Sequence, residues 1–281
     1  MKDVTDKKYY LDGWLKTILD FSIIRQKHKW DNLFIIDGDE GSGKTTFSWG
    51  IGKYLAWKTG KEFSVQNNIF FDIKELMKKA TTSTQEVLIW DEAALEGLSK
   101  DHMRSVQTNL IKTLMTTRSR GHFFIFLVPK IYKLNRYVTE DRCKMWFHVY
   151  SPNDLERGYF YFYEKKKKDY FLDQYYRNHK KMYHLRNFFG RFTKDYMNIV
   201  SQDEYEQKKN DAVSRMFQDS KSTKEVASER RYRELKEKIV WLPEKLQISA
   251  KQFAELLGID YKNYLIWRKK HKKPGYEGVG D

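Results

Sequence analysis

Between residues 30 and 150 short continuous apolar runs alternate with longer stretches whose apolar positions recur every three or four residues. Runs of four to six apolar residues suit strands buried on both faces, and the longer period suits helices with one face on a core. The runs are Leu33–Asp37, Glu86–Glu92, Phe123–Val128 and Cys143–Tyr150, with one more strand around Phe63–Val65 or Asn68–Phe71. Helices are predicted over 11–24 (Leu11, Trp14, Leu15, Ile18, Leu19, Ile23), from Thr45 to a stop at Gly60, and over 73–79 behind an Asp72/Glu75 capping box. A fourth, over 100–118, gathers Met103, Val106, Leu110, Ile111, Leu114 and Met115 on one face. Pro129 lacks an amide hydrogen and fits the end of its strand. Glu156-Arg157-Gly158 turns the chain into Tyr159–Tyr163, an antiparallel edge pair with the strand before it. Such alternation predicts a doubly wound α/β domain.

Outside that region the pattern weakens. Residues 80–85 read as a polar loop, and the four lysines Lys165–Lys168 read as an exposed one. Residues 169–200 are aromatic and basic without a clear period, and no element is assigned there. Residues 202–240 look helical, with a polar break at 220–223. The expected division is 1–165 for the α/β domain with its leading helix, 166–225 for a basic connecting region, and 226–281 for a helical domain.

Composition then bounds the partners. The chain of 281 residues carries 53 Lys and Arg against 38 Asp and Glu, a net charge of +15 shared by both halves. A polyanion is the natural partner, nucleic acid before membrane, although a lysine-rich solvated surface would give the same balance. A single cysteine, Cys143, excludes an intramolecular disulfide framework and fits a reducing compartment. No signal-like start and no apolar run of about 20 residues is visible. The expectation is a soluble protein in the cytoplasm of a host cell, with no membrane segment.

Chemistry concentrates after the first strand. Gly38-Asp39-Glu40-Gly41-Ser42-Gly43-Lys44-Thr45, followed by Thr46, fits G-x-x-x-x-G-K-[ST] at every fixed position. A strand delivers the chain into a loop whose glycines let successive N–H groups face one anion, and the following helix adds the positive end of its dipole. Gly38, Gly41, Ser42, Gly43, Lys44, Thr45 and Thr46 are the expected nucleotide-binding residues. Lys44 would reach the β/γ-phosphates and the Thr45 hydroxyl would hold Mg²⁺. A chance Gly-rich turn seldom supplies the Lys-Thr pair as well.

The run Val87-Leu88-Ile89-Trp90 ends in Asp91-Glu92. A strand-end Asp can hold the metal shell opposite Thr45, and the next Glu can orient or deprotonate an attacking water. The same pair could instead be an N-cap Asp and first-turn Glu of a helix starting at Ala93. Arg118 and Arg120 are candidates for an arginine finger acting on a neighbouring subunit, or else complement a helix C-terminus. Val128-Pro129-Lys130 lacks the Asn, Gln or Thr expected of a strand-end sensor, which stays unassigned.

Residues 248–268 resemble a helix-turn-helix. Ala254 is small where two helices would cross, Gly258 permits the turn, and Phe253, Leu257, Ile259, Tyr264 and Trp267 supply an interior. Tyr261, Lys262, Asn263 and Arg268 would face a groove, while Lys269, Lys270, Lys272 and Lys273 would neutralise phosphates. A helical hairpin between subunits is the plainer alternative.

The stretches Gly38–Thr45, Val87–Glu92 and Thr116 through Pro129 together resemble the phage and plasmid ATP-binding proteins related to the zonula occludens toxin and the FtsK–HerA DNA translocases. That resemblance covers about residues 30–165. It implies an α/β P-loop NTPase of the ASCE type, a mostly parallel sheet flanked by helices, followed here by the smaller helical domain. It further implies a ring-forming homo-oligomer that hydrolyses ATP with Mg²⁺ to move DNA in packaging or transfer, with other packaging or replication proteins as partners. Rival readings are a helicase loader that uses ATP as a switch, and an ATP-controlled DNA-binding regulator.

Overall fold

The computed structural model describes residues 10–91, 100–153, 156–215, 242–243 and 247–270, with the backbone alone at 100–105 and 270. Chain contacts divide the molecule into units of residues 1–214 and 215–281.

The first unit is built on one seven-stranded sheet. Its strands are β1 (Asn32–Asp37), β2 (Ile69–Phe70), β3 (Val87–Asp91), β4 (Phe123–Val128), β5 (Cys143–Tyr150), β6 (Tyr159–Glu164) and β7 (Phe188–Arg191). They lie in the order β2-β3-β4-β1-β5-β6-β7. The first five are parallel, and β6 and β7 add antiparallel strands beyond β5. β4 therefore separates β1 from β3, which sets the carboxyl end of β3 one strand away from the loop that follows β1. β1, β3 and β4 are buried at every position, as their unbroken apolar runs predict.

Helices α1 (Gly13–Lys27), α2 (Lys44–Lys58), α3 (Val65–Asn68), α4 (Ile73–Thr82), α5 (Lys100–Thr116) and α6 (Lys165–Asn178) join the strands, and α7 (residues 202–215) follows them. Asp12 caps α1 by accepting from Trp14 N and Leu15 N, so the helix starts two residues later than its apolar pattern implies. Leu15, Leu19 and Ile23 form its buried stripe, while Trp14 is left exposed. α2 is buried nearly all round. Phe47 meets Phe147 and Phe160 on the sheet, and each such ring is worth about 1.5–3 kcal/mol of burial. One turn on, α2 receives Tyr196 so closely that a Cβ on Gly50 would lie 1.9 Å from the ring, so only glycine fits there.

Several expectations need correction. Lys165–Lys168 is the first turn of α6, and Lys168 is fully buried. Its ammonium donates to Thr139 O and, at 2.5 Å, to Asp169 Oδ1, which is how a lysine survives burial. Tyr159–Tyr163 does pair antiparallel with β5, but β7 covers its other side, so the edge lies one strand further out. The second strand is Ile69–Phe70, because Ser64 caps the short α3 where the earlier alternative was placed. α4 continues to Thr82, its terminal Thr81, Thr82 and Ser83 hydroxyls bonding back to carbonyls one turn earlier. On α5, Val106, Leu110 and Leu114 are buried but Met115 is 57% exposed.

In the second unit, α8 (Ala250–Leu256) and α9 (Tyr261–Lys270) form a helical pair. Ser249 and Gln252 make a reciprocal capping box, and Gly258 takes φ 64° between the helices. Phe253, Ala254 and Tyr264 are its core, with Leu242, Ile248, Ala250 and Ile259 packed on them. Leu257 is exposed and Trp267 half-buried, so the interior is smaller than its sequence suggests. Residues 216–241 lie outside the described residues. No helix among the described residues is long and apolar enough to cross a membrane.

Candidate functional site

The parallel strands all end at the same edge of the sheet, and there the loop 38–43 leaves β1 for α2. Gly38 has φ 149°, and a Cβ on it would sit 2.0 Å from Val149 O of β5, so the loop can run beside that strand only with glycine. Lys44 Nζ folds back over the loop, donating to Gly38 O (2.7 Å) and Asp39 O (2.8 Å). Burial lowers the Lys44 pKa from its ordinary value, opposed by the charges of Asp91, Asp37 and Asp39. Ser42 is buried, and its hydroxyl has no hydrogen-bond partner among the described residues. An orphaned hydroxyl in the glycine loop is what a phosphate oxygen would satisfy, so the loop fits a nucleotide triphosphate tail. Thr46 is half-buried in the first turn of α2.

Across β4, the end of β3 meets the start of α2. Thr45 Oγ1 donates to Asp91 Oδ2 at 3.1 Å, joining the two residues proposed to hold Mg²⁺. Hard divalent cations of this size are held by few carboxylates, a hydroxyl, waters and phosphate oxygens, and this pair suits that donor set. Asp91 has a second partner that sequence reasoning missed. Tyr205 of α7 donates its phenol to the same Oδ2 at 2.8 Å. Its ring packs on Trp49 (5.1 Å) and Phe71 (5.3 Å), and burial first, then the Asp91 charge, raises its pKa. Lys208, one turn on, donates to Val65 O, Gln66 O and Ile69 O and ties α7 to α3 and the first residue of β2.

Two more cations approach the loop. Lys130, just past β4, makes a 2.5 Å ion pair with Asp39 and thereby lowers that carboxyl's pKa. It occupies the strand-end place where a polar sensor was sought. Arg157, in the β5–β6 turn, brings Nη2 within 3.7 Å of where a Cβ on Gly41 would lie. Motif spacing points to neither, since both arrive through the ends of other strands.

Beneath the loop, Asp37 is fully buried. It accepts from Trp146 Nε1 (2.7 Å) and His148 Nδ1 (2.8 Å) of β5, and from Ile131 N (2.9 Å) beyond β4. One carboxylate thus ties together the ends of the three strands that surround the phosphate loop.

The remaining expected residues are dispersed. Arg118 and Arg120 form a 3₁₀ turn just before β4 and so lie at the opposite end of the sheet, about 20 Å of strand from their own loop. Arg120 Nη1 donates to Ser83 O at 3.2 Å. Neither can serve this chain's own nucleotide. Glu92, Lys272 and Lys273 lie outside the described residues, as does the side chain of Lys270. Tyr261, Lys262 and Asn263 are exposed in the first turn of α9, capped by Asp260, Arg268 is half-buried, and Lys269 is exposed.

No family model and no curated protein matches this sequence. Among solved structures the chain is similar to the AMPPCP-bound DnaA from Aquifex aeolicus, with a TM-score of 0.33 and 12% identity over 95% of this chain and 92% of that one. A likeness that distant leaves function to the chain's own geometry. That geometry is an α/β fold with a mostly parallel sheet and a phosphate-loop arrangement at its carboxyl edge.

Proposed function

We propose that this chain is a Mg²⁺-dependent ATPase working on DNA as an oligomer, a translocating motor of a mobile element. The observation that carries the ATPase reading is the Thr45–Asp91 contact across β4, with Lys44 folded over the glycine loop. When bound, Mg²⁺–ATP supplies the phosphoanhydride and a cation that neutralises its β and γ oxygens.

The chain's own residues then have separable tasks. Lys44 exchanges two backbone carbonyls for phosphate oxygens and keeps its charge over the loop. Loop amides and the Ser42 hydroxyl complete the anion cradle. Thr45 Oγ1 and Asp91 hold the metal side, and Glu92 orients the water and takes its proton. Lys130 and Arg157 lend positive charge where negative charge develops on the transferred group and the leaving oxygen. Arg118 and Arg120 are left for a neighbouring subunit's site. Exposed Tyr261, Lys262 and Asn263 with the basic end of α9 are the proposed duplex-reading surface of a helix-turn-helix.

Tyr205 favours a second reading within the same class. A phenol engaged on the metal-side carboxylate suits an ATP-operated switch, as in a helicase loader or a regulator, as well as a motor. Sustained turnover stimulated by DNA separates the motor from the switch.

The site is tested by two variants. Lys44→Ala is expected to abolish ATP binding, whereas Glu92→Gln should keep binding and lose hydrolysis. Wild-type hydrolysis by Glu92→Gln would return Asp91-Glu92 to the helix-capping role.

A further inference from the structure

β6 is aromatic at five successive positions, Tyr159-Phe160-Tyr161-Phe162-Tyr163, and the pleat sorts them by type. Phe160 and Phe162 turn inward, Phe160 stacking on Phe47 of α2 at 4.6 Å. The three tyrosines share the other face with Trp146, His148 and Tyr150 of β5, through the pairs Trp146–Tyr163, His148–Tyr161 and Tyr150–Tyr159. α6 covers only one end of this face, where Phe171 packs on Trp146 and Tyr163. Tyr183 then closes over His148 at 4.2 Å. Past that point the face is partly exposed, with Tyr150, Tyr159 and Tyr161 half-buried.

That part displays rings across three strands. Tyr150 stacks on Tyr161 at 4.1 Å, and both are half-buried. Phe189 of β7, opposite Tyr161, is 61% exposed. Arginine guanidinium groups sit over these rings. Arg186 sits 4.6 Å over Tyr161 and 5.8 Å from Phe189, and Arg191 sits 4.6 Å over Tyr159. Residues 156–191 hold ten Lys and Arg against four Asp and Glu.

We propose that this aromatic and arginine-bearing face of β5, β6 and β7 is a binding platform for single-stranded nucleic acid. An exposed ring at Phe189, half-buried tyrosines beside it and guanidinium groups over them suit unpaired bases and their phosphates, and a duplex hides those base faces. A nucleotide base would use one ring, whereas this face offers several on neighbouring strands. A second copy of the same face would bring like charge against like charge. The platform also reaches the catalytic edge. Tyr150 follows Val149, whose carbonyl abuts Gly38, and the turn from β5 to β6 carries Arg157 to Gly41. The face and the phosphate loop therefore share β5 and the β5–β6 turn. The proposal deepens the DNA-linked reading above and rests on it only for the class of partner.

The test uses the full chain and a fluorescent dT20 oligonucleotide, titrated at fixed salt by anisotropy. Phe189→Ala and Tyr161→Ala are each expected to weaken dT20 binding about tenfold, within the range seen for loss of one base stack. Tyr161→Phe should restore binding, and duplex affinity and DNA-free ATP hydrolysis should stay at wild-type levels. Phe189 is exposed, so its truncation tests the face even if Tyr161→Ala fails to fold. Unchanged dT20 affinity in Phe189→Ala would overturn the platform. So would a shift of subunit mass, which makes the face a contact between copies, or a selective loss of ATP affinity, which makes it a base pocket. Wild-type ATP hydrolysis separates the two readings: dT20 binding by a wild-type chain that hydrolyses no ATP would leave the platform standing and remove the proposed function.

Discussion

Asp37 and Asp91 invite comparison. Each is the last residue of a parallel strand, each is buried, and they stand on β1 and β3 with only β4 between them. Their partners differ in kind. Asp37 accepts from an indole, an imidazole and a backbone amide, groups whose positions are set by the strands that carry them. Asp91 Oδ2 accepts from two hydroxyls, Thr45 and Tyr205, whose O–H bonds rotate without moving the backbone. The two carboxylates share burial and differ in the freedom of their donors; on the proposed function that difference would mark Asp91 as the one open to a ligand.

The largest expected effect tests the structural member. Asp37→Ala would leave three buried donors unpaired, at about 1–3 kcal/mol each, so a loss of roughly 3 kcal/mol or more is expected. Urea unfolding of the nucleotide-free protein measures it. Unchanged stability would mean the three strand ends are held by packing alone, and the contrast with Asp91 would collapse.

Next is Asp91→Asn. An amide oxygen can still accept from one hydroxyl, so stability should change by about 1 kcal/mol or less. Hydrolysis, by contrast, should fall about 10- to 100-fold, the usual penalty for disturbing a group that orients a metal's shell. Steady-state turnover over a Mg²⁺ series gives the answer. A variant that loses stability but retains turnover would make Asp91 the structural carboxylate.

How much of this was legible beforehand follows from the distance over which each feature is specified. The phosphate loop is local, with eight residues between a strand and a helix, and its order is readable in one pass. The run Val87–Asp91 is equally local, and its proposed role rests on lying downstream of the loop. Lys130, Arg157 and Tyr205 reach the site only because β4, the β5–β6 turn and α7 end there, and no spacing along the chain encodes that. Lys168 was misread for a related reason. Four lysines in a row look solvated until the fold places one of them under the Thr139 carbonyl. β7 escaped notice because four residues, two of them Phe and one Arg, carry too little period to mark a strand. Arg118 and Arg120 were correctly placed between helix and strand, but their sheet end is visible only once β4 is known to run parallel to β1.

The smallest effect sharpens the comparison most. Tyr205→Phe keeps the ring on Trp49 and Phe71 and removes only the phenol that occupies Asp91. If that hydrogen bond exists in the free protein and is surrendered when metal and nucleotide bind, its loss raises the energy of the free state alone. A hydrogen bond contributes about 1 kcal/mol net, so Mg²⁺-dependent nucleotide binding should tighten roughly fivefold while the free protein loses a similar amount of stability. The two changes must then mirror each other, which is a stricter demand than either alone. Titration calorimetry with a non-hydrolysable ATP analogue, with and without Mg²⁺, reads the first, and urea unfolding reads the second. Weaker binding in Tyr205→Phe would mean the phenol holds Asp91 in the geometry the metal needs. Asp91 would then be fixed in place as Asp37 is, and the freedom of its donors would no longer separate the two carboxylates.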